Sequence, residues 1–186
     1  MTYGTLPPGG YPSSSKWLHW LVAISVIIQA PLGIIISNAE LGAWQDRLYN
    51  FHKSMGVLIL ILMVLRVLNR ITVGAPAPEP TIAGWQKTVS SAVHGALYVL
   101  LILQPLVGYW ANSAFGASTP FFGLFEIPAI VASNEPLANR LFALHRWIGI
   151  ALVLLVGLHV AAALQHYFIQ RDGVLQRMLP QALGGR

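Results

Sequence analysis

Four stretches of this chain, at approximately 17–37, 51–70, 91–112 and 143–168, are apolar enough and long enough to cross a lipid bilayer. The hydrocarbon core is about 30 Å thick and takes roughly 20 helical residues to span. Inside it the backbone finds no water, so each span must pair its own N–H and C=O groups. The fold expected is therefore all-α, an integral membrane four-helix bundle occupying residues 1–186 as one domain. Composition agrees, with 55% hydrophobic and only 9% charged residues, where a soluble domain carries about a quarter charged. Cysteine is absent, which excludes disulfides, thiolate metal sites and haem attached through cysteine. The opening "MTYGTLPPGGYPSSSK" has no basic region leading into an apolar run, and no small-residue cleavage pattern follows the first span. That span reads as retained, not as a signal peptide.

The net charge of +5 raises the question of nucleic acid, but its distribution answers as membrane orientation instead. On the side of the termini and the second link lie Lys16, Arg66, Arg70, Lys87, Arg171, Arg177 and Arg186, against Glu79 and Asp172. The other side holds Arg47, Lys53, Arg140 and Arg146, balanced by Glu40, Asp46, Glu126 and Glu135. The positive-inside rule then puts both termini in the cytoplasm. The links at 38–50 and 71–90 are short or proline-rich ("GAPAPEP"). The link at 113–142 is longer, and its "FGASTPFFGLFEIP" suits the membrane interface. Trp17, Trp20, Trp44, Trp85, Trp110 and Trp147 fall mostly at span ends, as interfacial belts do.

A weak internal repeat runs through the spans. "FHKSMGVLILILMVLR" aligns with "LHRWIGIALVLLVGLH", and "HWLVAISVIIQAPLG" with "HGALYVLLILQPLVG". The first pair both open His-(Lys/Arg)-x-x-Gly, with Arg66 where His159 falls. In the second, His19, Gln29 and Gly33 match His94, Gln104 and Gly108. The chain reads as two related helical hairpins.

The histidines sort by depth. His145 and His159 are fourteen residues apart, which puts them within about 40° of one helix face and roughly 21 Å apart along the axis. His52 opens its span at the outer depth of His145, while His19 and His94 lie at the inner depth of His159. A single histidine at a helix end is an ordinary interfacial residue, but ionisable groups within spans are costly and usually functional. Two layers of paired imidazoles, without a cysteine or carboxylate cluster, suit bis-histidine haem b. Zinc, the rival, takes four ligands in a structural site, and the outer layer offers two histidines. Gly56 and Gly149 lie one turn from the outer histidines, and Gly33 and Gly108 lie at the same depth. Alone, their missing side chains suit clearance for a macrocycle or close helix packing equally; beside the histidines, clearance for a haem is the expectation.

The residues "WLHW" around His19, "FHKSMG", "HGALYVLLILQPLVG", "LHRWIG", "GLHVAAALQHYF" and the tail "GVLQRMLP" resemble the bacterial cytochrome b561 family over nearly the whole chain. The resemblance implies a small dihaem cytochrome of the inner membrane with two haem b groups. It implies His52 and His145 as axial ligands of the outer haem, and His19 and His159 of the inner one. A relative in that family oxidises superoxide at the periplasmic side and reduces ubiquinone, so the same reaction is implied here. The family often carries adjacent histidines before "YF"; here Gln165 precedes His166, which keeps the position linked to the quinone pocket. Arg66 and His94 at inner depth suit a haem propionate or that pocket, with snorkelling of Arg66 to the surface as its alternative. Lys53 and Arg146, with Arg140, suit attraction of superoxide; the alternative is that they are interfacial anchors.

Two other functions stay open on the sequence alone. One is a non-enzymatic electron-transfer subunit linking a periplasmic dehydrogenase or hydrogenase to quinone, which needs a large partner. The other is a membrane metal-binding or transport protein without haem.

Overall fold

The computed structural model describes residues 10–179, so Arg186, the first nine residues and Pro180 of the tail motif lie outside the described residues. Four long helices follow one another: α1 Ser13–Asn38, α2 Gln45–Val73 after a short 3-10 turn at Gly42–Trp44, α3 Gly84–Ala114 and α4 Glu135–Gln165. Each carries a window apolar enough to cross a membrane. Their long side chains Ile27, Ile34, Leu68, Val99 and Leu154 are exposed, as a lipid-facing surface requires.

Helices α1, α2 and α3 run past their apolar stretches at both ends, and α4 starts well before its own. Hydropathy marks only the length that tolerates hydrocarbon, whereas capping sets where the helix stops. At the start of α4 the Asn134 Oδ1 accepts from the Leu137 N–H at 3.1 Å, with Glu135 and a proline in the first turn. At the start of α3 the Gln86 side chain accepts from the Ala83 N–H at 3.2 Å. Helix α2 ends on Gly74, whose φ of 81° closes the chain as its N–H bonds the Arg70 carbonyl at 3.1 Å.

The link between α3 and α4 is correspondingly shorter than the sequence suggested and holds an ordered hairpin. Strands β1 Thr119–Phe121 and β2 Phe125–Ile127 pair antiparallel, with Thr119 opposite Ile127 and Phe121 opposite Phe125. Ser54 of α2 ties this hairpin down. Its buried hydroxyl lies 2.9 Å from the Pro120 carbonyl and 2.8 Å from that of Asn50, and accepts from the Phe122 N–H at 3.0 Å. Asn112 of α3 donates to the carbonyls of Ala117 and Ser118 at 2.9 and 3.0 Å.

Helices adjacent in sequence pack against each other: α1 on α2, α2 on α3, α3 on α4. Ala111, Ala114 and Ala138 let α3 and α4 approach closely near the hairpin. Val22, Ile59 and Met63 join α1 to α2, with Tyr98 and Leu101 of α3 against them. Helix α4 makes no comparably extensive backbone contact with α1 or α2. At the end opposite the hairpin the two ends of the described chain meet. The Tyr11 N–H donates to the Arg177 carbonyl at 3.2 Å, and Trp20 Nε1 donates to the Met178 carbonyl at 2.9 Å.

Candidate haem-binding site

The histidines meet where α4 stands off from α1 and α2. Near the hairpin, His52 of α2 and His145 of α4 have ring centres 6.2 Å apart. Near the terminal end, His19 of α1 and His159 of α4 have theirs at the same 6.2 Å. A metal–imidazole bond of about 2 Å, plus about 1 Å from nitrogen to ring centre, separates two rings on opposite sides of one ion by about 6 Å. Both pairs therefore have the spacing of a bis-imidazole axial set. Among the described residues no group of three or more His, Asp or Glu side chains converges tightly enough to hold a bare metal ion, so a structural zinc site is not built here.

The surroundings of the outer pair suit a group ligated through Nε2. His145 Nδ1 donates to the Gln104 carbonyl at 3.0 Å, which fixes the tautomer and leaves Nε2 as an acceptor. That Nε2 here faces the Gln104 amide nitrogen at 3.3 Å, which a ligated group would displace. His52 is held by its backbone, whose carbonyl accepts from Gln29 Nε2 at 2.7 Å. The His52 Nδ1 and the side-chain oxygens of Gln29 and Gln104 are buried without protein partners. Glycines clear this layer, and what they clear is the imidazole itself. A Cβ at Gly108 would stand 2.8 Å from His145 Cε1, and one at Gly33 would stand 3.1 Å from His52 Cε1. At Gly149 it would meet the Gln104 amide at 3.1 Å.

The inner layer holds three imidazoles. His94 lies 5.1 Å from His159, ring centre to ring centre, and its Nδ1 donates to the Ser90 carbonyl at 2.6 Å. Arg66 is half-buried: its Nη1 is 2.9 Å from His19 Nδ1, and its Nε donates to the Tyr98 hydroxyl at 3.0 Å. A guanidinium only donates, so His19 Nδ1 accepts in this arrangement. Ligation through His19 Nε2 needs the ring proton on Nδ1, which releases Arg66 to an anionic group at the same depth. With that one proton moved, the inner donor set also fits haem b. Arg66, Tyr98, Ser15, Asn69 and Arg70 line a cavity of about 20 Å³, room for one water.

The remaining candidates fall at the two ends. Lys53 Nζ is 3.5 Å from the Ser118 carbonyl, and Glu126 and Asp46 are near enough to act on its charge. Glu126 in turn accepts from the Ser118 hydroxyl. Arg146 and Arg140 are exposed beside this end. His166 caps α4, its N–H bonding the Ala162 and Ala163 carbonyls. It opens a π turn, His166–Gln170, and its Nδ1 lies 2.5 Å from Asp172 Oδ2. Asp172 was legible only as an inner-side acid, because its approach to His166 crosses a helix break that carries no periodicity. Tyr98 and Ser54 gave no signal beyond their place in apolar spans. The two glutamines did, since they occupy matching places in the repeat.

Comparison with known proteins adds to this geometry. The family model for prokaryotic cytochrome b561 matches residues 10–181. The chain is 35% identical over 176 residues to Cytochrome b561 homolog 2 of Escherichia coli K12, covering 94% of each. It is 32% identical over 176 residues to the Probable superoxide oxidase CybB of Yersinia pestis, covering 90% of this chain and 94% of that one. Cytochrome b561 homolog 1 of Escherichia coli K12 is 27% identical over 179 residues, 92% of this chain and 97% of the relative.

Proposed function

Because this chain belongs to the prokaryotic cytochrome b561 family, a family of haem b proteins carrying electrons in the bacterial inner membrane, we propose that it is a dihaem superoxide:ubiquinone oxidoreductase. The observation that supports this reading is the pair of equal 6.2 Å imidazole separations at opposite ends of the bundle. One haem b between His52 and His145, and another between His19 and His159, would supply reversible one-electron chemistry at two depths of the bilayer. Arg66, released from His19, binds a propionate or the quinone; His94, anchored to Ser90, shapes the same inner region.

With the termini in the cytoplasm, as the arginine and lysine distribution favours, the hairpin end faces the periplasm. Lys53 and Arg146 there attract the superoxide anion, and small size lets it reach a site roofed by the hairpin. The overall reaction balances as two superoxide anions, one ubiquinone and two protons giving two dioxygen molecules and one ubiquinol. His166 at the opposite end donates the proton that the quinone oxygen needs on reduction. The 32% identity to a probable superoxide oxidase favours this reading over an electron-transfer subunit that serves a periplasmic dehydrogenase. The test is haem stoichiometry. The purified protein is expected to show a b-type α band and two haems per chain by pyridine haemochrome, whereas one haem per chain sinks the dihaem assignment.

A further inference from the structure

The His166–Asp172 contact is built by an unusual local fold. Helix α4 widens into the π turn at His166–Gln170, and Arg171 then adopts φ 53° and ψ 34°, a left-handed conformation that favours glycine. Together they reverse the chain so that Asp172, six residues on, reaches back to His166 at 2.5 Å. The other carboxylate oxygen accepts the Val174 N–H at 3.2 Å, which fixes the group's orientation. Both side chains are largely buried, at 13% and 9% exposure. Backbone held in a sparsely populated region marks a place where the surrounding structure enforces a particular side-chain arrangement.

We propose that Asp172 is the positioning residue for proton delivery: it holds His166 with Nδ1 bound to its carboxylate and Nε2 turned to the quinone oxygen. The inference rests on the reading of His166 as the quinone-side histidine and deepens it. A carboxylate accepts only, so the neutral ring keeps its proton on Nδ1. When the ring carries both protons, Asp172 balances the charge and Nε2–H is the donor facing the ligand. As the quinone takes up an electron, the Nε2–H bond breaks and an O–H bond forms. The ring returns to its Nδ1–H form and is reprotonated from the cytoplasmic water at this end. Two such cycles, with two electrons drawn from two superoxide anions, complete one quinol.

The experiment uses the full-length haem-loaded protein in detergent with superoxide and a short-chain ubiquinone, comparing Asp172→Asn, Asp172→Glu and His166→Gln. Asp172→Asn is expected to keep both haems and their reduction by superoxide. Its kcat for quinol formation should fall by about 100-fold, the low end of what acid–base catalysis contributes, with KM little changed. Asp172→Glu should restore most of the rate. Ring ¹⁵N spectra of the unaltered protein, at a pH where His166 is neutral, should place its proton on Nδ1. A normal rate in Asp172→Asn beside a slow His166→Gln overturns the role of Asp172 and leaves His166 in place. Normal rates in both variants overturn the quinone-side reading itself. A rise in KM alone, a failure of glutamate to restore the rate, or a resting Nε2–H ring reduces Asp172 to a structural contact and overturns the inference.

Discussion

Individual side chains carry sharply different consequences in this protein. On the proposed pairing, removing His52 or His145 takes one of two axial ligands from the outer position and touches neither imidazole of the inner pair. His52→Ala and His145→Ala are therefore each expected to halve the haem content, read by pyridine haemochrome. Unchanged two-haem content in either contradicts the pairing. His94 sits 5.1 Å from His159, with its Nδ1 anchored to the Ser90 carbonyl. His94→Ala should keep both haems, and loss of the inner one would give it the place assigned to His159. Gly108 is equally demanding, because the ring 2.8 Å from its notional Cβ is fixed at Nδ1 by a backbone carbonyl and cannot swing aside. Gly108→Ala should therefore press α3 against the fixed His145 ring and cost about 1–3 kcal/mol as an overpacked contact. The outer haem's absorption and electron paramagnetic resonance signals report it.

At the scale of elements, the hairpin between α3 and α4 depends on one hydroxyl. Ser54 is 2% exposed and holds the Phe122 N–H while facing the Pro120 carbonyl. Ser54→Ala leaves the part-buried Phe122 N–H without its acceptor, a loss of about 1 kcal/mol. Hydrogen exchange across residues 117–127 should quicken markedly while both haems stay bound; unchanged exchange means that Asn112 alone anchors the roof. The sequence was least informative here. Helices α1 to α4 were legible because lipid leaves a backbone one solution and apolar length announces it. The hairpin was not, since "TPFFGLFEI" owes its strands to Ser54 and Asn112, sixty or so positions away in one case and hidden in a helix in both. The histidine layers were legible because helical rise converts spacing directly into depth. Which of His94 and His159 faces His19 was not, because depth carries no information about the direction of a side chain. The Arg66 contact with His19 and the Asp172 contact with His166 arise from helix packing and a chain reversal that no local pattern encodes.

For the molecule as a whole, the claims concern direction: which end faces which compartment, and which way electrons run. The chain has no cysteine, so single cysteines report sidedness without background. Ala132 beside the hairpin and Thr81 between α2 and α3 are exposed at opposite ends. In spheroplasts, an impermeant maleimide should label Ala132→Cys, and should label Thr81→Cys only after lysis; the reverse pattern inverts the topology. The function itself is tested most directly by mixing the purified protein, without any partner, with a superoxide source and ubiquinone. Haem absorbance and quinol are then followed together. Rapid haem reduction followed by quinol formation, at one quinol for every two superoxide anions consumed, is the expected result. Haems that stay oxidised under superoxide, with no quinol formed, would contradict it and leave the chain as an electron-transfer subunit in need of a partner.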